Sequence, residues 1–201
     1  SSTLFDKNVK NELIKSWEVG LELKFLNNRL GFDFAWYKSN ATNQLLNLPM
    51  NSLSGYSSKK INAGDIENQG VELMAYATPI RTKDFEWTIN YNVSHNSNKI
   101  KSLTGKDSDG DGVEDDMTAS SLFIGESLSA IYDYKVDGIW QVGDDIPEGF
   151  YPGNYRVVDV TKEGKINADD RTIIGKTDPA ARMGLFNKFR YKSFTLSFFI
   201  I

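Results

Sequence analysis

The stretch Asp84-Phe85-Glu86-Trp87-Thr88-Ile89-Asn90-Tyr91-Asn92-Val93-Ser94 alternates without a break. Successive side chains of an extended strand point to opposite sides of a sheet. Phe85, Trp87, Ile89, Tyr91 and Val93 therefore share one face, and Glu86, Thr88, Asn90, Asn92 and Ser94 share the other. A wholly apolar face backed by a wholly polar one suits a strand that meets lipid or a core on one side and water on the other. The same pattern recurs along the chain, which makes the fold class all-β.

Outward from this segment, residues 16–25 place Trp17, Val19, Leu21, Leu23 and Phe25 opposite Glu18, Gly20, Glu22 and Lys24. Asn27-Asn28 is a tight-turn signal. A second strand starts near Arg29, is interrupted by polar residues over 38–43, and resumes from Gln44 to Leu48. Residues 49–60 read as a loop, 61–78 as a third strand and 78–83 as a short turn. Residues 96–125 form a long polar stretch, 131–141 a strand-like segment, and 143–179 a second long loop. Residues 183–191 and 194–201 make a last hairpin across Lys192-Ser193. Short turns thus alternate with long loops, as in an antiparallel transmembrane β-barrel with long extracellular loops. A soluble β-sandwich remains the alternative from pattern alone.

The 201 residues allow one large domain or two small ones. With 40% hydrophobic and 25% charged residues the chain is ordinary for a folded protein. A net charge of −4 with scattered basic residues argues against nucleic-acid binding. The absence of cysteine removes disulfides and thiolate metal sites. No apolar run is long enough for a transmembrane helix, a test to which a barrel is invisible. No signal peptide opens the chain, and it stops inside an apolar strand, so it reads as a piece of something longer.

Chemistry is sparse. No G-x-S-x-G, P-loop or H-E-x-x-H motif occurs, and His95, the one histidine, has no companion acid or nucleophile in a motif. Neither catalytic residues nor enzyme activity is expected. The most pointed segment is 107–116, D-S-D-G-D-G-V-E-D-D. Carboxylates at alternate positions around glycines can wrap a hard cation in oxygen. Asp107, Asp109 and Asp111 would supply side chains, Val113 a carbonyl, and Asp115 or Asp116 would close the shell around calcium. Thr118 at the twelfth place departs from an EF-hand loop; a solvated acidic loop is the bland reading. A second twelve-residue loop offers Asp159, Thr161, Glu163, Lys165 at the seventh place, and Asp170 at the twelfth; a turn held by its own hydrogen bonds is the alternative. Glu18, Glu22, Glu72 and Glu86 would face the lumen of a barrel, as substrate-path residues or simply as wall. Tyr56, Phe123, Trp140, Phe150 and Tyr151 in the loops could stack on sugars, meet a lid protein, or pack on one another.

Several ordered blocks resemble a known family. Lys15-Ser16-Trp17-Glu18-Val19-Gly20-Leu21-Glu22, Asn28-Arg29-Leu30-Gly31-Phe32-Asp33, and the long motif Ile61-Asn62-Ala63-Gly64-Asp65-Ile66-Glu67-Asn68-Gln69-Gly70-Val71-Glu72-Leu73 are similar to late barrel strands of SusC/RagA-type TonB-dependent transporters. Ala77-Thr78-Pro79, Gly125-Glu126-Ser127-Leu128, Asp137-Gly138-Ile139-Trp140-Gln141 and Asp169-Asp170-Arg171-Thr172-Ile173-Ile174-Gly175 continue the resemblance over nearly the whole chain. It implies the C-terminal part of a 22-stranded outer-membrane barrel, whose plug domain is absent from this chain. It further implies TonB-energised import of glycans or peptides, with TonB–ExbB–ExbD and a SusD-like surface lipoprotein as partners and outer-membrane lipid around the wall. Many members carry D-x-N-G-D-G-K-I-D-x-x-D-R where this chain has Thr161-Lys162-Glu163 and Asn167, which removes charge from the second loop. The rivals are a soluble carbohydrate- or protein-binding β-sandwich with calcium-braced loops, and a secreted β-fold hydrolase.

Overall fold

The computed structural model describes residues 3–5, 9–49, 54–62 and 64–201. The middle of the loop over 49–60, and Ala63, lie outside the described residues. Among the described residues there are thirteen strands and no α-helix. They are β1 (Thr3–Phe5), β2 (Leu13–Phe25), β3 (Leu30–Thr42), β4 (Leu45–Pro49), β5 (Ser58–Asn62), β6 (Asp65–Arg81), β7 (Phe85–Ser102), β8 (Ala130–Tyr134), β9 (Val136–Ile139), β10 (Tyr155–Val157), β11 (Arg171–Lys176), β12 (Arg182–Tyr191) and β13 (Phe194–Ile200).

Six of these form one antiparallel sheet in the order β2-β3-β6-β7-β12-β13, each long strand pairing with the next along the chain. The ladder brings like faces together. Leu21 lies opposite Phe34, Phe34 opposite Leu73, Leu73 opposite Val93, and Val93 opposite Met183. The apolar row of each strand therefore continues into the next, and one face of the whole sheet is apolar. Trp87 stacks on Phe189 with ring centroids 5.6 Å apart, and Phe189 on Phe198 at 6.2 Å. Asn187 is the polar exception in this row; it is buried, and the Trp87 indole N–H donates to its Oδ1 at 3.2 Å.

Connections differ sharply at the two ends. β2 and β3 are joined through Leu26, Asn27 and Asn28, all at positive φ near 53–62°, a conformation that asparagine tolerates better than most residues. β6 to β7 and β12 to β13 are shorter still, and the Lys192 N–H donates to the Asp84 carbonyl at 2.7 Å, tying the two turns together. Pro79 sits where the β6 register shifts between Ala77 and Ile80. A proline cannot donate to a ladder and is tolerated at such a bulge. The Arg29 guanidinium donates to the carbonyls of Thr78 at 3.2 Å and Pro79 at 3.0 Å.

At the other end the strands run further than the apolar alternation. β3 is continuous to Thr42, through the polar stretch 38–43, and β7 reaches Ser102, well into the stretch read as loop. The segment Leu45–Pro49 is not a continuation of β3 but pairs with β5, which also receives β1 in parallel. The third strand divides: β5 ends at Asn62, and β6 begins after Gly64, whose φ of 91° breaks the extended backbone. Two ribbons, β8–β11 and β9–β10, occupy the loop regions. A small core sits here, with Ile66, Ile100, Leu103 and Phe123 buried and Phe123 against Tyr132 at 4.7 Å between ring centroids.

The polar face is shaped by glycine. Gly31 lies directly opposite Tyr76, and Gly70 directly opposite Tyr37; each tyrosine ring covers the space a Cβ would take. Gly31→Val should therefore drive a side chain into the Tyr76 ring and destabilise the full-length protein by about 1–3 kcal/mol, the usual scale of overpacking. The expected readout is a lower temperature of heat-modified electrophoretic mobility. Adding Tyr76→Ala should recover most of the loss; failure to recover it would show that the ring is not the obstacle.

Candidate functional site: the polar face and the outer loops

The register assembles a row on the polar face from three strands. Glu72 of β6 lies opposite Ser94 of β7, which lies opposite Arg182 of β12. One row nearer the long loops, Tyr37, Gly70 and Asn96 are aligned. The Tyr37 hydroxyl donates to Asn96 Oδ1 at 3.1 Å. Tyr37, Glu72, Ser94, Asn96 and Arg182 line a cavity of about 310 Å³ together with Asp178. Asp178 is fixed from the loop side by the hydroxyls of Ser129 at 2.6 Å and Ser127 at 3.1 Å. Those two hydrogen bonds hold its carboxyl below the usual carboxylate range.

The four glutamates expected on this face are all there, in different states. Glu22 pairs with Lys24 at 2.6 Å, and Glu86 with Arg81 at 2.9 Å and Arg190 at 3.8 Å. Such solvent-exposed pairs contribute little to stability. Glu18 and Glu72 have no ion-pair or hydrogen-bond partner among the described residues. His95 serves structure: its Nδ1 meets the Ala180 carbonyl just before β12 begins.

In the first acidic loop, Asp107, Asp109 and Asp115 converge, each offering an oxygen within 4.8 Å of the others. Asp111 and Asp116 stand apart. Asp111 accepts from the Val113 N–H at 2.7 Å, and Asp116 from the Ile124 N–H at 2.7 Å. Asp107 accepts from Gly110 at 2.7 Å and Gly112 at 2.9 Å, and these bonds, that from Gly112 foremost, hold its carboxyl below the usual range. Glu114, which sequence reading passed over, anchors the loop. Its carboxylate takes the N–H groups of Leu103 and Gly105, each at 2.6 Å, and the Ser102 hydroxyl at 2.8 Å.

The second loop folds around one carboxylate. Asp170 is fully buried and accepts from the N–H groups of Val160 at 2.9 Å, Thr161 at 3.2 Å and Asn167 at 2.8 Å, and from the Thr161 hydroxyl at 3.1 Å. Asp159 accepts from Gly164 at 2.7 Å, and the Asn167 amide reaches Glu163. Lys165 lines a separate cavity of about 600 Å³ with Trp140, Phe150 and Ile166. The Trp140 indole N–H is buried with no hydrogen-bond partner among the described residues, and the Arg156 guanidinium lies over its ring at 5.7 Å. Of the other loop aromatics, Phe123 is buried and Tyr151 is 69% exposed.

Hydrogen bonds to the ionised form, led by that from the Asn167 N–H, hold the Asp170 carboxyl below its ordinary range. A lowered folded value means that its contribution is fully present above the unfolded pKa, about 3.9, and is lost as pH falls through the folded one. Hydrogen-exchange protection factors at Val160 and Thr161 should therefore be high at neutral pH and fall only in acid below that value. Asp170→Asn, which turns an acceptor into a donor facing N–H groups, should expose the loop to proteolysis between 159 and 170 at neutral pH. An unchanged cleavage pattern would contradict this account.

A family model described as TonB dependent receptor-like, beta-barrel, matches residues 1–200. TonB-dependent receptor P3 of Formosa agariphila is 33% identical over 96% of this chain and 20% of its own length. TonB-dependent receptor SusC of Bacteroides thetaiotaomicron is 32% identical over 96% of this chain and 19% of its own. The chain thus spans about a fifth of the length of these relatives. Among solved structures, one titled as the RagAB peptide transporter superposes with a TM-score of 0.68 at 23% identity, covering 92% of this chain and 20% of that one. The sheet order, the shared apolar face and these matches lead to one conclusion: the chain belongs to the TonB-dependent receptor-like β-barrel family of the outer membrane, and its sequence is similar to the SusC receptor of that family.

Proposed function

We propose that this chain builds part of the wall of a multi-pass outer-membrane barrel that imports a glycan or peptide nutrient on energy delivered by TonB–ExbB–ExbD. The observation carrying this reading is the apolar face that continues in register over six strands, with Asn187 as a polar exception. Val19 is 64% exposed, Leu21 54% and Leu196 64%. A soluble sandwich would cover such a face with a second sheet; acyl chains cover it in a barrel. The long-loop end, carrying the ribbons and both acidic loops, faces outward and meets a SusD-like lipoprotein. Catalysis has no place in this reading, which is that of a transporter family.

Within the same reading, the first acidic loop holds calcium through Asp107, Asp109 and Asp115, and the ion braces the outer mouth. The second loop's closing carboxylate is already satisfied by protein donors, so support for a cation there is weaker. Calcium at millimolar concentration should slow cleavage of the full-length protein within 107–116 and Asp109→Asn should abolish the protection; protection that survives the substitution would rule out this site.

The membrane reading has its own test. In proteoliposomes of the full-length protein, brominated acyl chains should quench Trp17, Trp36 and Trp87, each contribution read as the difference on replacement by Phe. Trp140, in the loops, should be unaffected. Quenching of none of the first three would return the chain to the soluble sandwich.

A further inference from the structure

Towards the long loops, the two sides of the sheet differ in charge. On the apolar side, the last apolar row is Val19–Trp36–Val71, which ends at His95. Beyond it the register sets Trp17–Lys38–Gln69–Ser97 and then Lys15–Asn40–Glu67–Lys99 across β2, β3, β6 and β7. The opposite side of these same extensions carries Ser16–Ser39–Asn68–Asn98 and Ile14–Ala41–Ile66–Ile100, with no charge at all. Solvating the ends of four strands does not require their charges to share one side. Lys38 binds Glu67 at 2.8 Å, and Lys101, at the register shift that follows, acts on the same carboxylate. In a chain of net charge −4, this side thus gathers Lys15, Lys38, Lys99 and Lys101 against Glu67 and, at the shift, Asp65. Lys15 and Lys99 are exposed and form no ion pair among the described residues.

We propose that Lys15, Lys38, Lys99 and Lys101 form a binding site for the phosphate of an anionic outer-leaflet lipid, on the outside of the barrel wall. The proposal rests on the membrane reading above, with the long-loop end outward. Heights along the bilayer normal support it. Successive rows are two residues apart, about 6.6 Å along a strand and about 5 Å along the normal at a tilt of about 40°. Lys38 therefore stands about 5 Å beyond the Trp36 row, and Lys15 and Lys99 about 10 Å beyond it. The headgroup layer flanking the hydrocarbon is about 5–7 Å deep on each side. Lys38 lies within that layer, and Lys15 and Lys99 reach back to it along their apolar stems. Trp17 and Trp36 are exposed beside the lysines and suit the boundary between acyl chains and headgroups. A hollow of about 190 Å³, lined in part by Trp36, Gln69, Val71, His95 and Ser97, adds hydrogen-bonding groups for headgroup oxygens. A zwitterionic headgroup brings its own cation to the lysines, so a lipid with an exposed phosphate is favoured.

The experiment uses the full-length protein in phosphatidylcholine liposomes containing a small fraction of a lipid with brominated acyl chains, either phosphatidic acid or phosphatidylcholine. Quenching of Trp17, Trp36 and Trp87 by each lipid is read from the difference on replacement by Phe. Phosphatidic acid should quench Trp17 and Trp36 about fivefold more effectively than phosphatidylcholine, the scale set by one lysine at an anionic surface. Combining Lys15→Gln, Lys38→Gln, Lys99→Gln and Lys101→Gln should bring the two lipids level at Trp17 and Trp36. Quenching by brominated phosphatidylcholine, and all quenching of Trp87, should stay as in the wild type. Lys15→Gln with Lys99→Gln keeps the Lys38–Glu67 pair and should already reduce the excess, which serves if the four-residue variant does not fold. Equal quenching by the two lipids in the wild type, or an excess that survives both variants, would overturn the lipid site while leaving the barrel wall intact. Absence of quenching by either lipid would instead sink the membrane reading on which the site depends. If exchanging chloride for inorganic phosphate at constant ionic strength removes the excess, the lysines hold a free anion, which also overturns the proposal.

Discussion

Because side chains on a strand alternate with a period of two, slipping any of the six sheet strands by one residue would carry its apolar row onto the polar face. The ladder prevents this through backbone hydrogen bonds, and its register is fixed at the short-turn end. There Leu26, Asn27 and Asn28 force a tight reversal, and Arg29 holds the Thr78–Pro79 bulge through two carbonyls. Everything else described follows from that alignment: the shared apolar face, the tyrosines seated over Gly31 and Gly70, and the charged row from Glu72 to Arg182. Few interactions within the sheet hold it by burial, since its bulky side chains are exposed or half-buried while the buried apolar residues cluster under the outer loops.

Much of this was legible in the sequence where alternation is strict. The strand from Ser16, the strand from Asp84, the Asn27-Asn28 turn and the last hairpin all appear within a few residues of their expected places. Legibility failed where strands rise above the apolar band. Residues 38–42 and 95–102 are mostly polar and lack an apolar alternation, so periodicity reports a loop, yet the backbone goes on pairing. Hydrogen bonding of the main chain is indifferent to side-chain polarity, and pairs such as Lys38 with Glu67 at 2.8 Å decorate this extension. Conversely, Leu45–Pro49 looked like more of the same strand because a left-handed residue, Asn43 at φ 58°, is silent in the apolar pattern.

The loops show the same division. Spacing alone placed Asp107, Asp109 and Asp115 together, because a short glycine-rich loop can only curl so far. It could not reveal that Asp111 and Asp116 turn to backbone N–H groups instead, nor that Glu114 binds back to residues 102–105. The second loop was legible as a turn closing on Asp170, but not the donors that surround it. The Glu72–Arg182 row was out of reach, since it joins residues far apart in the chain and depends on β7 lying between β6 and β12.

The pair Trp87–Asn187 has a consequence for depth. An amide side chain among aromatics is tolerable near an interface, and here it lies with Phe85, Tyr191 and Phe194 close to the short turns. From Phe85 to Val93 a strand rises about 26 Å at ~3.3 Å per residue, and a tilt of about 40° reduces this to roughly 20 Å along the normal. On the membrane reading, the girdle at one end and the polar extensions at the other fit the thin hydrocarbon layer of a bacterial outer membrane. A thicker bilayer would have to pinch inward around the wall, so the strands themselves act as a gauge of the lipid they sit in.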